Sequence, residues 1–256
     1  MSPAPSLRIG VFPNERGVAR ALAERVASVI AVKPRTVLGL PTGRTPVLLY
    51  RELSLLHMEG RVDFSRVTTF NLDEFLGPAP TDPGSYRTFM ERHLFSRVNI
   101  SRDRVNFLDG GTSDPAAECA RYERAIEAAG GIDLQILGIG ANGHIGFNEP
   151  ARELQSRTHR VTLKPETRRS NASLFGGDAS KVPAEALSMG MATILRSRAI
   201  VLVATGKSKA ACVEQVVNGP ITTDLPASFL QLHPDAEIML DEAAAGKLGQ
   251  EAGDRR

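Results

Sequence analysis

An apolar run followed at once by a glycine-broken loop is the feature that most constrains the fold. Residues 134–139 read LQILGI, and the loop GIGANGHIGFNEP covers residues 138–150. Such a run is typical of a strand buried in a parallel sheet, and ligands of open α/β sheets bind where those strands end. His144 and Glu149 would lie at this edge. Taken alone, the loop fits an ordinary strand-to-helix connection with a hydrogen-bonded histidine equally well.

Short apolar runs alternate along the chain with segments of helical periodicity. The apolar runs predict strands over residues 7–12, 36–40, 67–70, 134–139, 199–204 and 236–240. The periodic segments predict helices over residues 18–30, 46–56, 85–95, 116–129, 184–195 and 210–217. This alternation predicts one α/β domain, residues 1–242, with a mostly parallel sheet. Residues 243–256 are rich in Ala, Gly and charge, and we expect a flexible tail there.

Composition limits the classes of partner. The chain has 256 residues and carries a formal charge of +2 from 31 basic and 29 acidic residues. This balance provides no extended field for nucleic acid or an anionic membrane. Cys119 and Cys212 stand apart, which suits a reduced cytosolic protein, and no apolar run is long enough to span a membrane. We therefore expect a cytoplasmic protein with neither nucleic acid nor membrane as its partner.

Two strand–turn–helix junctions are candidates for binding phosphate. PTGRTP covers residues 41–46 and TGKSK covers residues 205–209, each after a predicted buried strand. Backbone N–H groups and the helix dipole attract phosphate at such a junction, although neither spacing is that of a nucleotide-binding loop. The alternative is that the basic side chains are simply solvated. The candidate phosphate ligands are Thr42, Gly43, Arg44, Thr45 and Lys209.

Two other segments could be functional or merely structural. Asp73 and Glu74 follow the third predicted strand in FNLDEFLG, as catalytic acids or as a helix cap, and the cap is the commoner case. Residues 156–187 begin rich in Arg, Thr and Ser with little apolar periodicity. They could close over a ligand as a lid, or form an ordinary long surface loop.

The segments LGLPTGRTP, FNLDEFLG and GHIGFNEP together resemble the glucosamine-6-phosphate deaminase (isomerase) family. The resemblance runs over about residues 38–240 and includes SRTHRVTL, TGKSKA and LQLHP. The related 6-phosphogluconolactonases share the sheet and the Gly/Thr turn, but their corresponding loop lacks Glu149. The resemblance implies a single-domain modified Rossmann-like fold with a mostly parallel sheet, helices on both faces and no dinucleotide.

By this resemblance, the chain would convert glucosamine 6-phosphate and water to fructose 6-phosphate and ammonia. Asp73 would move a proton between C2 and C1 of the open-chain sugar, and His144 would open the ring, oriented or assisted by Asn142 and Glu149. An aldehyde at C1 acidifies the C2 hydrogen, so a positioned carboxylate can remove it, and His exchanges protons near neutrality. Neither a redox cofactor nor a metal is required. The partner is a small amino-sugar phosphate.

The sequence departs from the family pattern at several positions. Arg44 replaces a glycine of the usual turn, and Ser173 stands where many members have a phosphate-binding Arg. We hypothesise that Arg44 supplies the missing cation, because Arg matches phosphate with two donors. Asn142 can bond His144 but cannot form an ionised dyad, as the Asp of some members does. The effector-site pattern of allosteric members is also altered, around Arg152, His159 and Val161, so we predict no activation by N-acetylglucosamine 6-phosphate.

Three other functions stay open on the sequence. The changes at Arg44 and Ser173, and the tract PASFLQLH, leave galactosamine 6-phosphate as a second substrate for the same chemistry. Hydrolysis of 6-phosphogluconolactone needs no C2 base, so Asp73 and Glu149 favour the deaminase. A regulator that binds sugar phosphate without turnover would not need these groups either. The sequence decides neither between monomer and homo-oligomer nor whether residues 156–187 move.

Overall fold

The computed structural model describes residues 7–249, in which ten strands and eight α-helices are present. The strands are β1 (Arg8–Phe12), β2 (Val37–Leu40), β3 (Thr68–Asn71), β4 (Asp73–Phe75), β5 (Val105–Asn106), β6 (Leu134–Gly138), β7 (His159–Thr162), β8 (Glu185–Ser188), β9 (Ala199–Ala204) and β10 (Ala236–Asp241). The helices are α1 (Glu15–Val32), α2 (Pro46–Met58), α3 (Tyr86–His93), α4 (Pro115–Ala128), α5 (Pro165–Asn171), α6 (Met191–Leu195), α7 (Ala210–Asn218) and α8 (Glu242–Ala245). Short 3-10 turns occupy Phe95–Arg97, Arg102–Arg104, Ala172–Phe175, Lys207–Lys209 and Pro226–Leu232.

Seven strands form one parallel sheet in the order β1-β10-β9-β6-β2-β3-β5. From β2 the chain continues outward to β3 and β5, whereas from β6 it continues to the opposite side through β9 and β10. The loops after β2 and β6 therefore leave the sheet in opposite directions, and a crevice opens between them at the carboxyl ends of the strands. Residues 41–46 and 138–150 border this crevice, as the sequence predicted.

Helices cover both faces of the sheet, and β6 shows why. Successive residues of a strand point to opposite faces. Leu134 and Ile136 belong to the core cluster that includes residues of α1 and α2, while Leu137 belongs to the cluster that includes residues of α4 and α7. A central strand that is apolar on both faces needs a helix layer on each, so the predicted two-faced α/β architecture is confirmed.

A second, antiparallel sheet joins β4, β8 and β7. It gives the segment 156–187 regular structure: β7, α5 and most of β8 lie within it. The prediction of a helix over residues 184–195 is wrong for its first half, because residues 185–188 form β8. Pairing with β4 and β7 satisfies the backbone there, and the buried Ala186 and Leu187 are held by these neighbours rather than by a helical face.

Side chains cap the first and the last helix of the described residues. The side chain of Asn14 accepts from the N–H of Gly17 and caps α1. Of the predicted tail 243–256, residues up to Ala245 belong to α8, whose first turn is capped by Asp241 and whose Ala244 is fully buried. Residues 250–256 lie outside the described part of the chain. No helix within residues 7–249 has the length and apolar character needed to cross a membrane.

Candidate functional site

The turn after β2 presents backbone donors to the crevice. Gly43 has φ of +98°, a conformation that disfavours residues with a Cβ. Thr45 precedes the first turn of α2, and no side chain caps that turn. The hydroxyl of Tyr50 donates to the carbonyl of Pro41 and fixes the start of the turn. Pro46 has no N–H, and the N–H of Val47 donates to the Arg44 carbonyl. An anion at the start of this 13-residue helix would therefore be met by the remaining N–H groups of the turn and by the helix dipole.

Arg44 and Lys209 line one cavity of about 560 Å³, between the N-terminal part of α1 and the carboxyl ends of β2, β6 and β9. Neither side chain is ion-paired with a carboxylate in residues 7–249. Burial lowers the pKa of Lys209, and the charge of Arg44 lowers it further. Two cations that line one cavity and are not ion-paired to a carboxylate of residues 7–249 are suited to a phosphate dianion, although the Glu15 carboxylate lines the same cavity. Arg44 is exposed but lines the cavity, whereas Lys207 does not line it.

Three side chains of the loop after β6 form a hydrogen-bonded relay. The Asn142 carbonyl oxygen lies 2.6 Å from Nδ1 of His144, and the Asn142 amide nitrogen lies 3.4 Å from Oε2 of Glu149. A carboxylate only accepts, so the amide must point its nitrogen at Glu149 and its oxygen at His144. Neutral His144 then carries its proton on Nδ1 and presents a bare Nε2. Gly140 permits this arrangement, because a Cβ there would overlap the His144 ring.

The electrostatic surroundings keep His144 neutral. Burial lowers its pKa most, and the ammonium groups of Lys209 and Lys164 lower it further, while the Glu149 carboxylate opposes them. The net pKa lies below the ordinary value of the side chain. At neutral pH Nε2 is therefore free to accept a proton from a substrate hydroxyl, and Glu149 can stabilise the cation that results.

Asp73 and Glu74 are adjacent but have different environments. Glu74 accepts from the backbone N–H groups of Phe75, Tyr86 and Arg87, each at 2.9 Å, and so caps α3 from β4. Asp73 is 7% exposed, and no donor within residues 7–249 bonds its carboxylate. The sequence left cap and catalysis open for the pair, and the structure assigns the cap to Glu74 and leaves Asp73 unbonded.

Burial raises the pKa of Asp73 to about 8, and the neighbouring Glu74 charge adds to this rise. Burial also raises the pKa of Glu74, to about 7, although its three backbone donors act in the opposite direction. A carboxylate with a raised pKa is a stronger base in its ionised form than an ordinary one. Asp73 is therefore equipped to take a proton from carbon in its ionised form, which in the free protein dominates only above about pH 8.

Tyr86 connects the parts of the site. Its phenol is buried, and the Asp73 charge adds to the effect of burial in raising its pKa, while the Thr42 hydroxyl acts in the opposite direction. Tyr86 thus lies near both Thr42, in the turn after β2, and Asp73. His144 is similarly within the electrostatic reach of Lys209. The structure brings the predicted residues to one edge of the sheet, although Asp73, His144 and Glu149 do not line the cavity of Arg44 and Lys209.

Three residues of this edge were not predicted from the sequence. Tyr86 lies in the predicted helix 85–95, and Lys164 and Thr167 lie in the segment 156–187. The Thr167 hydroxyl donates to Oε1 of Glu149, and Lys164 Nζ lies 3.7 Å from Oε2. No local pattern marks these positions, because their role depends on how α5 packs against the loop after β6.

Comparison with known proteins gives the family of the chain. A family model for glucosamine-6-phosphate isomerases/6-phosphogluconolactonase matches residues 15–239. The chain belongs to this family. It is 52% identical over 227 residues to glucosamine-6-phosphate deaminase 1 of Giardia intestinalis, covering 89% of this chain and 85% of the relative. It is 46% identical over 242 residues to the glucosamine-6-phosphate deaminase of Halothermothrix orenii, covering 94% of this chain and 100% of the relative.

Solved structures of the family share the fold. A monomeric glucosamine-6-phosphate deaminase superimposes with a TM-score of 0.91 at 41% identity, covering 94% of this chain and 100% of that chain. The 6-phosphogluconolactonase of Trypanosoma cruzi has a TM-score of 0.75 at 21% identity, covering 96% of this chain and 98% of that chain. At this identity the likeness shows the fold alone. The family predicted from the three sequence segments and the modified Rossmann-like fold are both confirmed.

The raised pKa of Asp73 predicts that the natural protein loses stability as pH rises. Between about pH 4 and pH 8 the folded state binds more protons than the unfolded state, so the free energy of unfolding falls across that window. Asp73→Asn should therefore be more stable than the natural protein, by a margin that grows from pH 5 to pH 9 and reaches at most roughly 5 kcal/mol. Urea unfolding at several pH values measures this margin.

The exposed Asp103 provides the control for this experiment. Asp103→Asn should show no change in relative stability between pH 5 and pH 9, because its carboxylate is ionised in both states over that range. A margin for Asp73→Asn that stays constant with pH would show that the Asp73 carboxylate is not destabilised by burial.

Proposed function

We propose that this protein converts glucosamine 6-phosphate and water to fructose 6-phosphate and ammonia. The observation that carries the proposal is the pairing of a buried, unbonded carboxylate, Asp73, with a neutral histidine relay at the same sheet edge. In this proposal, Arg44 and Lys209, beside the start of α2 that no side chain caps, bind the phosphate of the substrate. Relatives that are 43–52% identical are named glucosamine-6-phosphate deaminases, which supports the same chemistry.

In the proposed mechanism, His144 opens the sugar ring. Nε2 takes the proton of the anomeric hydroxyl while the bond from C1 to the ring oxygen breaks, and the imidazolium then gives a proton to that oxygen. The result is an aldehyde at C1 and a hydroxyl at C5. Asn142 holds Nδ1–H throughout and transmits the charge of Glu149, so the imidazolium is stabilised without a change of tautomer.

In the proposed mechanism, Asp73 transfers a proton from C2 to C1. Its carboxylate takes the C2 hydrogen as a proton, and the electrons of that bond form the C1–C2 double bond of an enol-amine. The C1 oxygen receives the carbonyl electrons and takes a proton from the ammonium group at C2. Asp73 returns the proton to C1, which leaves an imine at C2. Water adds to the imine and ammonia leaves, so the ketone of fructose 6-phosphate forms. All of these steps use groups of this chain, water and the substrate.

Lactone hydrolysis is the weaker alternative. That reaction attacks a carbonyl with water and breaks no bond to hydrogen at carbon, so it has no use for the buried Asp73. The lactonase structures that match at 18–21% identity support only the common fold. Galactosamine 6-phosphate differs at C4, and an assay of both amino sugars under equal conditions compares the two substrates. We also propose a cytoplasmic location, in line with the two free, buried cysteines.

Ammonia release from glucosamine 6-phosphate tests the proposed function. The natural protein should release ammonia, and Asp73→Asn should lower kcat by about 10²–10⁴-fold, the usual effect of removing a positioned base. Asp103→Asn, the same change at an exposed site, should retain full turnover. Absence of ammonia from the natural protein, with turnover of 6-phosphogluconolactone instead, would replace the proposed function by lactone hydrolysis.

Arg44→Ala tests the phosphate site. Loss of a charged donor to phosphate should raise KM for glucosamine 6-phosphate roughly 10-fold, and inorganic phosphate should become a correspondingly weaker inhibitor. Arg51→Ala is the matched control, since Arg51 is exposed on the following helix and does not line the cavity. An unchanged KM in Arg44→Ala would show that Arg44 does not replace the family's phosphate-binding Arg.

A further inference from the structure

The Glu149 carboxylate is held mainly by a segment distant in sequence. Glu149 is buried, and its Oε1 accepts the hydroxyl of Thr167, a residue of α5 that is 4% exposed. Its Oε2 receives the Asn142 amide at the long distance of 3.4 Å. Within the described residues, Thr167 is therefore the partner that fixes the rotation of this carboxylate.

Contacts at both ends hold α5 in place, to the loop after β6 at one end and to α3 at the other. Lys164, directly before α5, donates from Nζ to the carbonyl of Pro150 at 2.8 Å and lies 3.7 Å from Oε2 of Glu149. At the other end of α5, the Tyr86 hydroxyl donates to Oδ1 of Asn171 at 3.0 Å, and Asn171 donates to the backbone carbonyl of Thr167 at 2.9 Å. Thr167 thus approaches Glu149 from a helix that is fixed at both ends.

We propose that Thr167 is a positioning residue for the proposed reaction, acting through Glu149 and Asn142 on His144. The Thr167 bond keeps Oε2 turned toward the Asn142 amide. That amide in turn keeps its oxygen on Nδ1 of His144 and leaves Nε2 bare. The effect on turnover rests on the proposed function, whereas the effect on the state of His144 does not.

The charges around the relay indicate what loss of this bond does. Lys164 faces Glu149 from α5, Lys209 faces His144 from the turn after β9, and Glu149 is the carboxylate that acts on His144. Without the Thr167 hydroxyl, Glu149 can turn from Asn142 toward Lys164. This rotation weakens the support that Glu149 gives to protonated His144.

The chain offers a matched pair of substitutions. Thr167→Val and Thr193→Val each remove a buried hydroxyl that donates to a carboxylate, Glu149 in one case and Glu123 in the other. Glu123 bonds Thr158 and Thr193 and no residue of the relay. Thr167→Ser keeps the hydroxyl and serves as the rescue variant. Thermal unfolding of all the variants establishes that each is folded before it is compared.

The first readout is the titration of His144, followed by NMR of histidine-labelled protein and assigned with His144→Gln. In Thr167→Val the midpoint should move to lower pH, and in Thr193→Val and Thr167→Ser it should stay near that of the natural protein. This readout needs no substrate, so it tests the positioning role even if the natural protein releases no ammonia. Equal midpoints in the natural protein and Thr167→Val would overturn the proposal.

The second readout is ammonia release over a range of pH. Thr167→Val should lower kcat about 10- to 100-fold with little change in KM, because a hydrogen bond to a charged group is lost while the phosphate contacts remain. Thr167→Ser should restore most of kcat, and Thr193→Val should leave it unchanged. An equal loss in Thr167→Val and Thr193→Val would mean that Thr167 only stabilises the fold, which also overturns the proposal.

Discussion

Burial of the Asp73 carboxylate, with no donor to it among residues 7–249, is the constraint on which the site depends. A charge in this position is costly, and the protein responds by raising its pKa to about 8. The cost is tolerated because β4 is held firmly. It pairs with β8, and the adjacent Glu74 clamps α3 through three backbone hydrogen bonds. A pocket of this kind trades stability for a base that is stronger than an ordinary carboxylate.

The same edge of the sheet holds a second titratable group whose pKa is shifted in the opposite direction. His144 has its pKa lowered by burial and by two lysines, so it is neutral and ready to accept a proton. In the proposed reaction, Asp73 acts at C2 and His144 acts at the ring oxygen. Their different surroundings suit each group to its own step. Arg44 and Lys209 lie on the side of the crevice toward α1, where a phosphate would be held away from the reacting carbons.

Local sequence was enough to predict six strands of the parallel sheet, and the resemblance to the family singled out the three side chains of the relay. Buried parallel strands are apolar on both faces, and their carboxyl ends meet at one edge whatever the order of the chain. Asn142, His144 and Glu149 lie within one short loop, so their proximity required no knowledge of the fold. The phosphate turns were predicted for the same reason, since each directly follows a buried strand.

Features that depend on packing between distant segments were not predictable. Strand β8 was expected to be helical, because its partners β4 and β7 are remote in the sequence. The division of roles between Asp73 and Glu74 depends on where the start of α3 lies. Thr167 has no signal in its own segment, since its function is set by the approach of α5 to Glu149.

The central claim is that Asp73 is a buried base with a raised pKa, and its direct titration tests that claim most simply. The natural protein can be labelled with ¹³C at the aspartate carboxyl carbons, and the Asp73 resonance assigned by its loss in Asp73→Asn. Our account predicts a titration midpoint near pH 8. A midpoint near pH 4, as for a solvated aspartate, would contradict it and would leave the proposed proton transfer without its base.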